Sequence, residues 1–343
     1  MKDEKYLTKS DNINFIKYIA SIMVIVGHSF VISTTNLGEF SEFLNTHIAF
    51  GATGVAVFFF LSGLLVTQSM LRNQTAKKFF KTRVIRIFPP LIIVVITTIV
   101  MGAFITNLSF GDYLLNADTL RYLLNIVLIR QHYLPGVFEN NPYPGAVNGS
   151  LWTLLFEFIC YILTYIVYKM RLLEKRRILF TIPPVLLGIT IISMIAKKLD
   201  IESGYLGTII RPCICYYMGM LLFFYHEYWI NSKIMYVAIF LAIIGIGVHS
   251  TYMLLIFVVP IIVLNIGWNN KLSINKRIAK LGKYSYGIYL VAFPIQQLLI
   301  FCLGEMSPFI NCTISVFLAT LLGKTIYQYI ELPIGIRCVY KIT

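Results

Sequence analysis

The sequence predicts an all-α membrane protein with about ten transmembrane helices. Hydrophobic residues make up 58% of the 343 positions and charged residues 13%, whereas an ordinary soluble domain has about 25% charged residues. The mean hydropathy is +0.77. The apolar residues gather into ten long runs, and one membrane crossing needs roughly 20 such residues. This composition excludes a disordered chain, a fibre and a disulfide scaffold, and it leaves little length for a separate soluble domain.

The ten runs follow one another along nearly the whole chain. They cover residues 13–33, 49–71, 88–108, 150–168, 178–196, 207–225, 234–249, 251–268, 284–303 and 310–330. The first run follows a polar segment, residues 1–12, and is longer than a signal-peptide core. Because it also lacks a small-x-small cleavage site, we expect a retained signal anchor. Residues 13–335 then form one membrane domain, and residues 336–343 form a short tail.

The distribution of Lys and Arg predicts the orientation. If the N-terminus is inside, 22 of the 29 Lys and Arg residues lie in inner segments and four lie in outer ones. Cytoplasmic loops carry the excess of positive charge, so both termini and the short tail are predicted to be cytoplasmic. The formal net charge of +14 has the same explanation, and we expect no nucleic acid partner. The predicted location is the cytoplasmic (inner) membrane, with multiple passes.

The longest connection, residues 109–149, is predicted to be extracytoplasmic. Its segment RYLLNIVLIRQHY is mostly apolar with an Arg near each end, which is typical of a helix that lies along the membrane surface. The segment LPGVFENNPYPGAVNGS is rich in Pro, Gly and Asn, which predicts an ordered loop with several turns. Loops of this length are usually functional.

The cysteines predict neither a metal site nor a disulfide framework. Most of the six lie in apolar runs, and no CxxC occurs. We therefore interpret them as packing residues. They are Cys160, Cys213, Cys215, Cys302, Cys312 and Cys338.

Two ionisable side chains occur in the first run. Because a charge inside a membrane is energetically costly, ionisable residues there are candidates for a functional site. Lys17 and His28 are eleven positions apart, which is about three helical turns plus 20°, or roughly 16 Å along the axis. Both side chains thus share one face of the predicted helix. Lys17 lies towards the cytoplasm and His28 towards the outer side. A snorkelling Lys and a hydrogen-bonded packing His remain the alternative.

A basic segment, AKKFFKTRVIRIFPP, precedes the third run. Arg83 and Arg86 are three positions apart and can face the same way on a helix, in an arrangement that suits phosphate groups. Composition alone favours the alternative, a positively charged flank that contacts anionic lipid head groups. Pro89 and Pro90 are expected to break the helix at the start of the run.

The second run contains four small residues that let another helix approach closely. They are Gly51, Gly54, Ser62 and Gly63. Helix packing is the expected role of all four.

An acidic residue, Glu157, lies about two turns inside the fourth run, where it needs a partner or a water-filled cavity. Arg211, His28 and Lys324 are the candidate partners. A structural ion pair and a catalytic role both remain open. Trp152, at the start of the same run, suits the membrane interface.

Several segments resemble, in order, the motifs of the acyltransferase-3 family of membrane proteins. The first is Lys17-x10-His28, and the second is GVAVFFFLSG. A third motif is matched by Phe80, Arg83, Arg86, Ile87 and Pro89, and a fourth by Trp152, Thr153, Leu154 and Glu157. LGKYSYGIYLVAFP and YQYIELP resemble the closing motifs. The sequence departs from the family pattern in having Lys17 in place of Arg and Ala292 in place of a frequent His.

The resemblance implies a membrane-bound O-acyltransferase. Such a protein moves an acyl group, usually acetyl, from cytosolic acyl-coenzyme A to a hydroxyl of a cell-surface polysaccharide or its lipid-linked precursor. His28 would be the general base, or would itself carry the acyl group, with Glu157 as a second catalytic residue. Lys17, Arg83 and Arg86 would form a basic inner mouth that holds the coenzyme A phosphates. The residues that shape the site would be Ser62, Gly63, Trp152 and Arg211, and no metal is implied.

Two other classes of function fit the composition. A polysaccharide transporter or lipid-linked glycan flippase would also have many helices and buried charges. Transporters often contain paired inverted halves with interrupted helices, and this sequence has no such pairing. In a membrane sensor or assembly protein, the buried charges would be structural.

Overall fold

The computed structural model describes residues 6–7, 10–33, 49–73, 75–181, 191, 203–247, 257–268 and 274–335, and these are helical or irregular, with no strand among them. The helices are α1 (Asp11–Ile32), α2 (Phe50–Asn73), α3 (Ala76–Ile105), α4 (Phe110–Leu115), α5 (Ala117–Tyr122), α6 (Trp152–Lys169), α7 (Ser203–Trp229), α8 (Ser232–Gly247), α9 (Val259–Trp268), α10 (Lys276–Ala279), α11 (Ser285–Leu303) and α12 (Pro308–Ile326). The predicted all-helical class is confirmed for this part of the chain.

Six helical segments of the described residues are long and apolar enough to cross a membrane. They correspond to the first four and the last two predicted runs. α7 covers the sixth run, and the shorter α8 and α9 cover the seventh and eighth. Most of the fifth run, the predicted tail and Cys338 lie outside the described residues. The total of ten crossings and the orientation of the termini therefore stay predictions.

Capping side chains fix where several of these helices begin. The side chains of four residues at helix starts accept hydrogen bonds from backbone N–H groups of the first turn, which has no partners within the helix. These residues are Ser10, Ser109, Asn116 and Ser307. Pro308 occupies the first turn of α12, where its missing N–H costs nothing.

The predicted break at Pro89 and Pro90 is wrong. Both prolines lie inside α3, which runs without interruption from the basic segment into the membrane run. Membrane helices tolerate proline when neighbouring groups satisfy the freed backbone, which here means the carbonyls of Ile85 and Arg86. The Tyr286 hydroxyl on α11 donates to the next carbonyl oxygen, that of Ile87, at 2.8 Å and ties α3 to α11 at this point. As a result, Arg83 and Arg86 lie on a rigid helix rather than on a loop.

α1 is the central helix, since it packs against α2, α9, α11 and α12. Two pairs of small residues bring α1 and α2 into backbone contact. A Cβ atom built on Gly27 would lie 2.5 Å from the Gly51 amide nitrogen, and one built on Gly54 would lie 2.5 Å from the Ala20 carbonyl oxygen. The crossing of the two helices is therefore fixed immediately beside His28.

α2 also packs closely against α7. A Cβ atom on Gly63 would collide with the carbonyl group of Tyr216, and one on Gly219 would collide with the carbonyl oxygen of Phe60. This tight crossing carries much of the core, including the fully buried Leu64. Gly63 thus has the packing contact that its position predicts.

One face of α3 consists of exposed apolar side chains. Ile93, Ile96, Val100 and Phe104 recur at helical spacing and are 41–86% exposed. A stripe of this kind needs an apolar surrounding. The α3 surface therefore fits a helix that faces lipid.

The connection after α3 is ordered, as its turn residues predict. α4, α5 and a 3₁₀ turn over Leu123–Val127 come first, and Leu128 ends the turn with a positive φ of 65°. The exposed Val127 and Ile129 give this part an apolar outer surface. The predicted interfacial helix is thus short, and the remainder of RYLLNIVLIRQHY is irregular.

Candidate active site

Three cavities follow one another along α1. The inner cavity has a volume of about 60 Å³ and is lined by Lys17, Ser62, Arg86 and Glu157 among others. The middle cavity, of about 310 Å³, is lined by His28, Trp152 and Arg211 among others. The outer cavity, of about 630 Å³, lies under the ordered loop and also contains His28 and Trp152.

Shared wall residues join the cavities into one series. Val55 and Tyr289 line both the inner and the middle cavity. His28, Val31 and Trp152 line both the middle and the outer cavity. Lys17 and His28 therefore lie at successive positions along one passage through the helical bundle, as their shared helix face predicts.

The inner cavity brings opposite charges together from three helices. Lys17 on α1 lies within electrostatic range of Arg86 on α3, Glu157 on α6 and Arg83. The Ser62 hydroxyl on α2 donates to Glu157 Oε1 at 2.9 Å, and the Tyr161 hydroxyl donates to the same oxygen. Ser62 is thus a polar partner of the carboxylate in addition to being a small residue of α2.

The structure does not place Glu157 beside Arg211, His28 or Lys324, the partners that the sequence suggested. Its described hydrogen bonds are with Ser62 and Tyr161, and its side chain lines the inner cavity rather than the middle one with Arg211. Lys324 is exposed on α12. The sequence located the turn of α6 that carries the acid, but it did not fix how α6 is rotated against α2.

Arg83 and Arg86 share a helix but occupy different surroundings. Arg86 lines the inner cavity. Arg83 is 8% exposed, and its guanidinium carbon lies 5.5 Å from the ring centres of Phe79 and Tyr161. Such stacking stabilises a desolvated cation. Only Arg86 of the two therefore has direct access to a molecule in the inner cavity.

His28 separates the middle cavity from the outer one. Its ring meets the Phe293 ring edge-on, with 5.0 Å between centres. Its Nδ1 atom is buried and finds no hydrogen-bond partner within the described part of the chain. The imidazole is therefore held by packing, and no described carboxylate orients it.

Tyr289 was not identified from the sequence, although it lines two of the cavities. Its hydroxyl donates to the Ser150 carbonyl oxygen at 2.8 Å and lies 2.7 Å from Thr153 Oγ1. These bonds tie α11 to the start of α6 beside Trp152. Tyr289 lies in YSYGIYLVAFP, so the motif pointed to the segment but not to this side chain.

The outer loop is held by buried amides of α11 that the sequence analysis also missed. Gln297 Nε2 donates to the carbonyl oxygens of Tyr143 and Ala146, each at 2.8 Å. Asn148 donates in return to the Leu290 carbonyl oxygen at 2.9 Å. The available signal was the pair Gln296-Gln297 inside an apolar run, since buried amides in a membrane are expensive.

Glu331 is a further residue that the sequence analysis did not select. It ends a π-helical turn, Tyr327–Glu331, that extends α12, and such turns are frequent at functional sites. Its Oε1 atom is buried without a hydrogen-bond partner among the described residues, and its charge acts on Arg86. Arg86 is therefore within electrostatic range of two carboxylates, Glu157 and Glu331.

The cysteines in the described ranges are reduced, and five of the six fall there. Cys160 and Cys213 bring α6 and α7 together, with their sulfur atoms 3.9 Å apart. Cys160 and Cys215 are fully buried. These contacts agree with the predicted role in packing.

The chain is similar to known acyltransferases. Residues 10–327 match the sequence model of a family described as an acyltransferase domain. An O-acetyl transferase of Shigella phage Sf6 is 27% identical over 303 residues, which are 85% of this chain and 86% of that protein. Nodulation protein 10 of Rhizobium leguminosarum bv. viciae is 34% identical over 84 residues, which are 24% of this chain and 22% of that protein. No solved structure matches the chain significantly.

Proposed function

This chain belongs to the acyltransferase family whose sequence model covers residues 10–327, and from that membership we propose that it is a membrane O-acetyltransferase. The donor is cytosolic acetyl-coenzyme A, and the acceptor is a hydroxyl of a cell-surface polysaccharide or its lipid-linked precursor. The observation that carries the proposal is the passage along α1, in which Lys17 and Arg86 line one cavity and His28 lines the next two.

The basic end of the passage is suited to the donor. Coenzyme A carries several phosphates, and Arg and Lys bind phosphate by charge-assisted hydrogen bonds. Lys17 and Arg86 line the inner cavity, and Arg83 adds positive charge from behind the ring of Tyr161. In this proposal the phosphates are held at this end, and the flexible arm extends along α1 to His28.

His28 acts as the general base. The acceptor oxygen attacks the thioester carbonyl carbon, a C–O bond forms, and the C–S bond breaks. The hydroxyl proton moves to His28 and then to the departing thiolate, so that the products are the acetyl ester and free coenzyme A. An imidazole suits this role because its ordinary pKa lies near neutrality.

A relay through His28 is the alternative course of the same reaction. His28 first takes the acetyl group from the thioester and then passes it to the acceptor. An acyl-imidazole needs protection from water, and His28 borders the wide outer cavity. We therefore favour direct attack by the acceptor.

Glu157 has a supporting role in this scheme. Its carboxylate is bound by Ser62 and Tyr161 and lies within electrostatic range of Lys17. When no donor is bound, the carboxylate offsets the electrostatic repulsion between Lys17 and Arg86, the two cations that line the cavity. Its effect on the reaction thus passes through the donor site rather than through the imidazole.

The test is acetyl transfer by the purified protein in proteoliposomes. The donor is [¹⁴C]acetyl-coenzyme A, and the acceptor is surface polysaccharide extracted from a strain that lacks the gene. We expect label in the polysaccharide with the parent protein and none with His28→Ala. A folded parent protein that transfers no label to this polysaccharide would contradict the proposal and favour the transporter or flippase.

A further inference from the structure

The outer cavity has an unusual lining for the end of a membrane passage. Four aromatic rings face it, and they are accompanied by Arg130, His28 and His132, with no acidic side chain among those lining residues that the structure describes. The rings belong to Tyr133, Tyr143, Trp152 and Phe293. The volume of about 630 Å³ falls within the range of roughly 300–1,000 Å³ that is typical of small-molecule sites.

The two tyrosines are partly exposed but fixed in place. Tyr133 is 38% exposed, and its hydroxyl donates to Glu139 Oε1 at 3.0 Å. The Gly136 amide donates to the same oxygen at 3.1 Å. Tyr143 is 40% exposed, and its ring meets Phe293 edge-on with 6.3 Å between centres. Exposed aromatic rings that are ordered in this way cost little entropy when they bind a ligand.

The backbone that carries these rings is equally ordered. Gln297 binds the carbonyl oxygens of Tyr143 and Ala146 from α11. Asn141 donates back to the Gln297 side-chain oxygen at 2.9 Å, and the Val147 amide donates to the His132 carbonyl oxygen at 2.7 Å. The loop is thus a preformed wall of the cavity.

We propose that the outer cavity is the acceptor site and binds one sugar ring of a saccharide by stacking it on Tyr143 and Trp152. The C–H face of a pyranose ring is apolar and packs on an aromatic ring, while its hydroxyls meet Arg130 and His132 at the rim. Burial and the charge of Arg130 both lower the pKa of His132, which favours the neutral imidazole, a form that can accept as well as donate a hydrogen bond. This inference rests on the proposed acetyl transfer.

The same rings would also accept a nucleobase, but the charges of the site favour a sugar. Coenzyme A needs several cations for its phosphates, and the described lining of the outer cavity contains one Arg and no Lys. Lys17 and Arg86 line the opposite end of the passage. The donor and the acceptor thus approach His28 from different sides.

Trp152 provides a direct measurement of binding. The chain contains three Trp, and replacing Trp229 and Trp268 by Phe leaves Trp152 as the only indole. In nanodiscs, polysaccharide extracted from the gene-deletion strain is titrated against the Trp152 fluorescence without any acetyl donor. We expect a saturable change in fluorescence, and we expect Tyr143→Ala to weaken the apparent binding roughly fivefold, since an aromatic contact contributes about 0.5–1.5 kcal/mol.

Two controls separate stacking from general damage. Tyr143→Phe retains the ring and should bind like the parent. Tyr236→Ala removes an exposed tyrosine of α8, which is 66% exposed, and should also have no effect. Binding of labelled coenzyme A to Tyr143→Ala, measured by equilibrium dialysis, should equal that of the parent and would establish that the variant is folded.

The outcomes also distinguish this inference from the proposed function. If the polysaccharide leaves the Trp152 signal unchanged, or if Tyr143→Ala binds it as tightly as the parent does, the acceptor site is not here. A fluorescence response to coenzyme A that is lost in Tyr143→Ala would overturn the assignment as well, because Tyr143 lines the outer cavity. Saturable binding that depends on Tyr143, without any acetyl transfer, would support the saccharide site and refute the transferase.

Discussion

Lys17 and His28 lie on one face of α1 and line consecutive cavities that meet at Tyr289 and Val55. Their separation of eleven residues corresponds to roughly 16 Å along the helix. The cation at one end and the imidazole at the other are therefore parts of the same passage. The predictions below test whether that passage carries out acetyl transfer.

His28→Ala should lower the rate of acetyl transfer by about 10²–10⁴-fold, which is the usual contribution of a general base. Because the ring must be neutral to accept a proton, the activity of the parent should also fall as the solution is acidified. The measurement is label transfer to polysaccharide as a function of pH, with thermal unfolding as the check on folding. Turnover near the parental rate in the variant would make His28 a packing residue.

The choice between direct attack and a relay is tested in the same preparation. Labelled donor is supplied without polysaccharide, and the protein is denatured and digested. Direct attack predicts no label on the peptide that contains His28, whereas a relay predicts its retention there.

Arg86→Gln should raise the Michaelis constant for acetyl-coenzyme A about tenfold or more, since a hydrogen bond to a charged group contributes about 1.5–3 kcal/mol. The constant for the acceptor should change much less. Lys78→Gln, at an exposed position of the same helix, is the matched control. If the Michaelis constant for acetyl-coenzyme A is unchanged in Arg86→Gln, Arg86 instead contacts lipid head groups or stabilises the fold.

Arg83→Gln should behave differently from Arg86→Gln. Arg83 is buried between Phe79 and Tyr161, so its loss should lower the thermal unfolding temperature more than it affects the donor constant. Equal effects of the two substitutions on donor binding would contradict the distinction that the structure makes between them.

Glu331→Gln tests whether the acid on the π-helical turn positions Arg86. If it does, Glu331→Gln should raise the Michaelis constant for acetyl-coenzyme A. The double variant with Arg86→Gln should have a constant close to that of Arg86→Gln alone, because both changes remove the same interaction. Glu331→Asp should restore part of the donor affinity. Additive effects of Glu331→Gln and Arg86→Gln would show that Glu331 acts elsewhere.

Gly63→Ala should destabilise the protein, because the new Cβ atom would collide with the Tyr216 carbonyl group. Overpacking of this kind typically costs about 1–3 kcal/mol. Gly111→Ala is the matched control, since a Cβ atom there meets nothing within 4 Å. Thermal unfolding in detergent compares the two, and equal stability would argue against the close approach of α2 and α7.

Orientation is tested by labelling single cysteines in a cysteine-free background. Residues 80 and 343 should react from the cytoplasmic side, and residue 140 should react from the outside. If residues 80 and 140 react from the same side, the charge-based topology is wrong and the donor does not reach Lys17 by the proposed route.

The sequence predicted those features that depend on local periodicity. The shared face of Lys17 and His28 follows from the helical repeat alone, and the turn-rich loop follows from its Pro, Gly and Asn residues. The unbroken course of α3 through Pro89 and Pro90 did not follow, because the effect of a proline on a membrane helix depends on the helices packed around it.

The partners of Glu157 also depend on contacts that one sequence does not reveal. The register of α6 against α2 brings the carboxylate to Ser62, 95 positions away along the chain. The same limit applies to Glu331, which lies in the π-helical turn after α12 and within electrostatic range of Arg86 on α3. Side chains that meet across helices are fixed by tertiary packing and not by the spacing within either helix.

The charges of the inner cavity have a consequence for the cell's energy supply. If the proposed transfer takes an acetyl group from one side of the membrane to the other, protons or sodium ions must not follow it, since such a leak would dissipate the membrane potential. Lys17 and Arg86 line the inner cavity together with Glu157, whose carboxylate is bound by Ser62 and Tyr161. Positively charged side chains exclude cations in other pores. We therefore expect the two cations that would bind a polyanionic donor also to hinder the passage of cations.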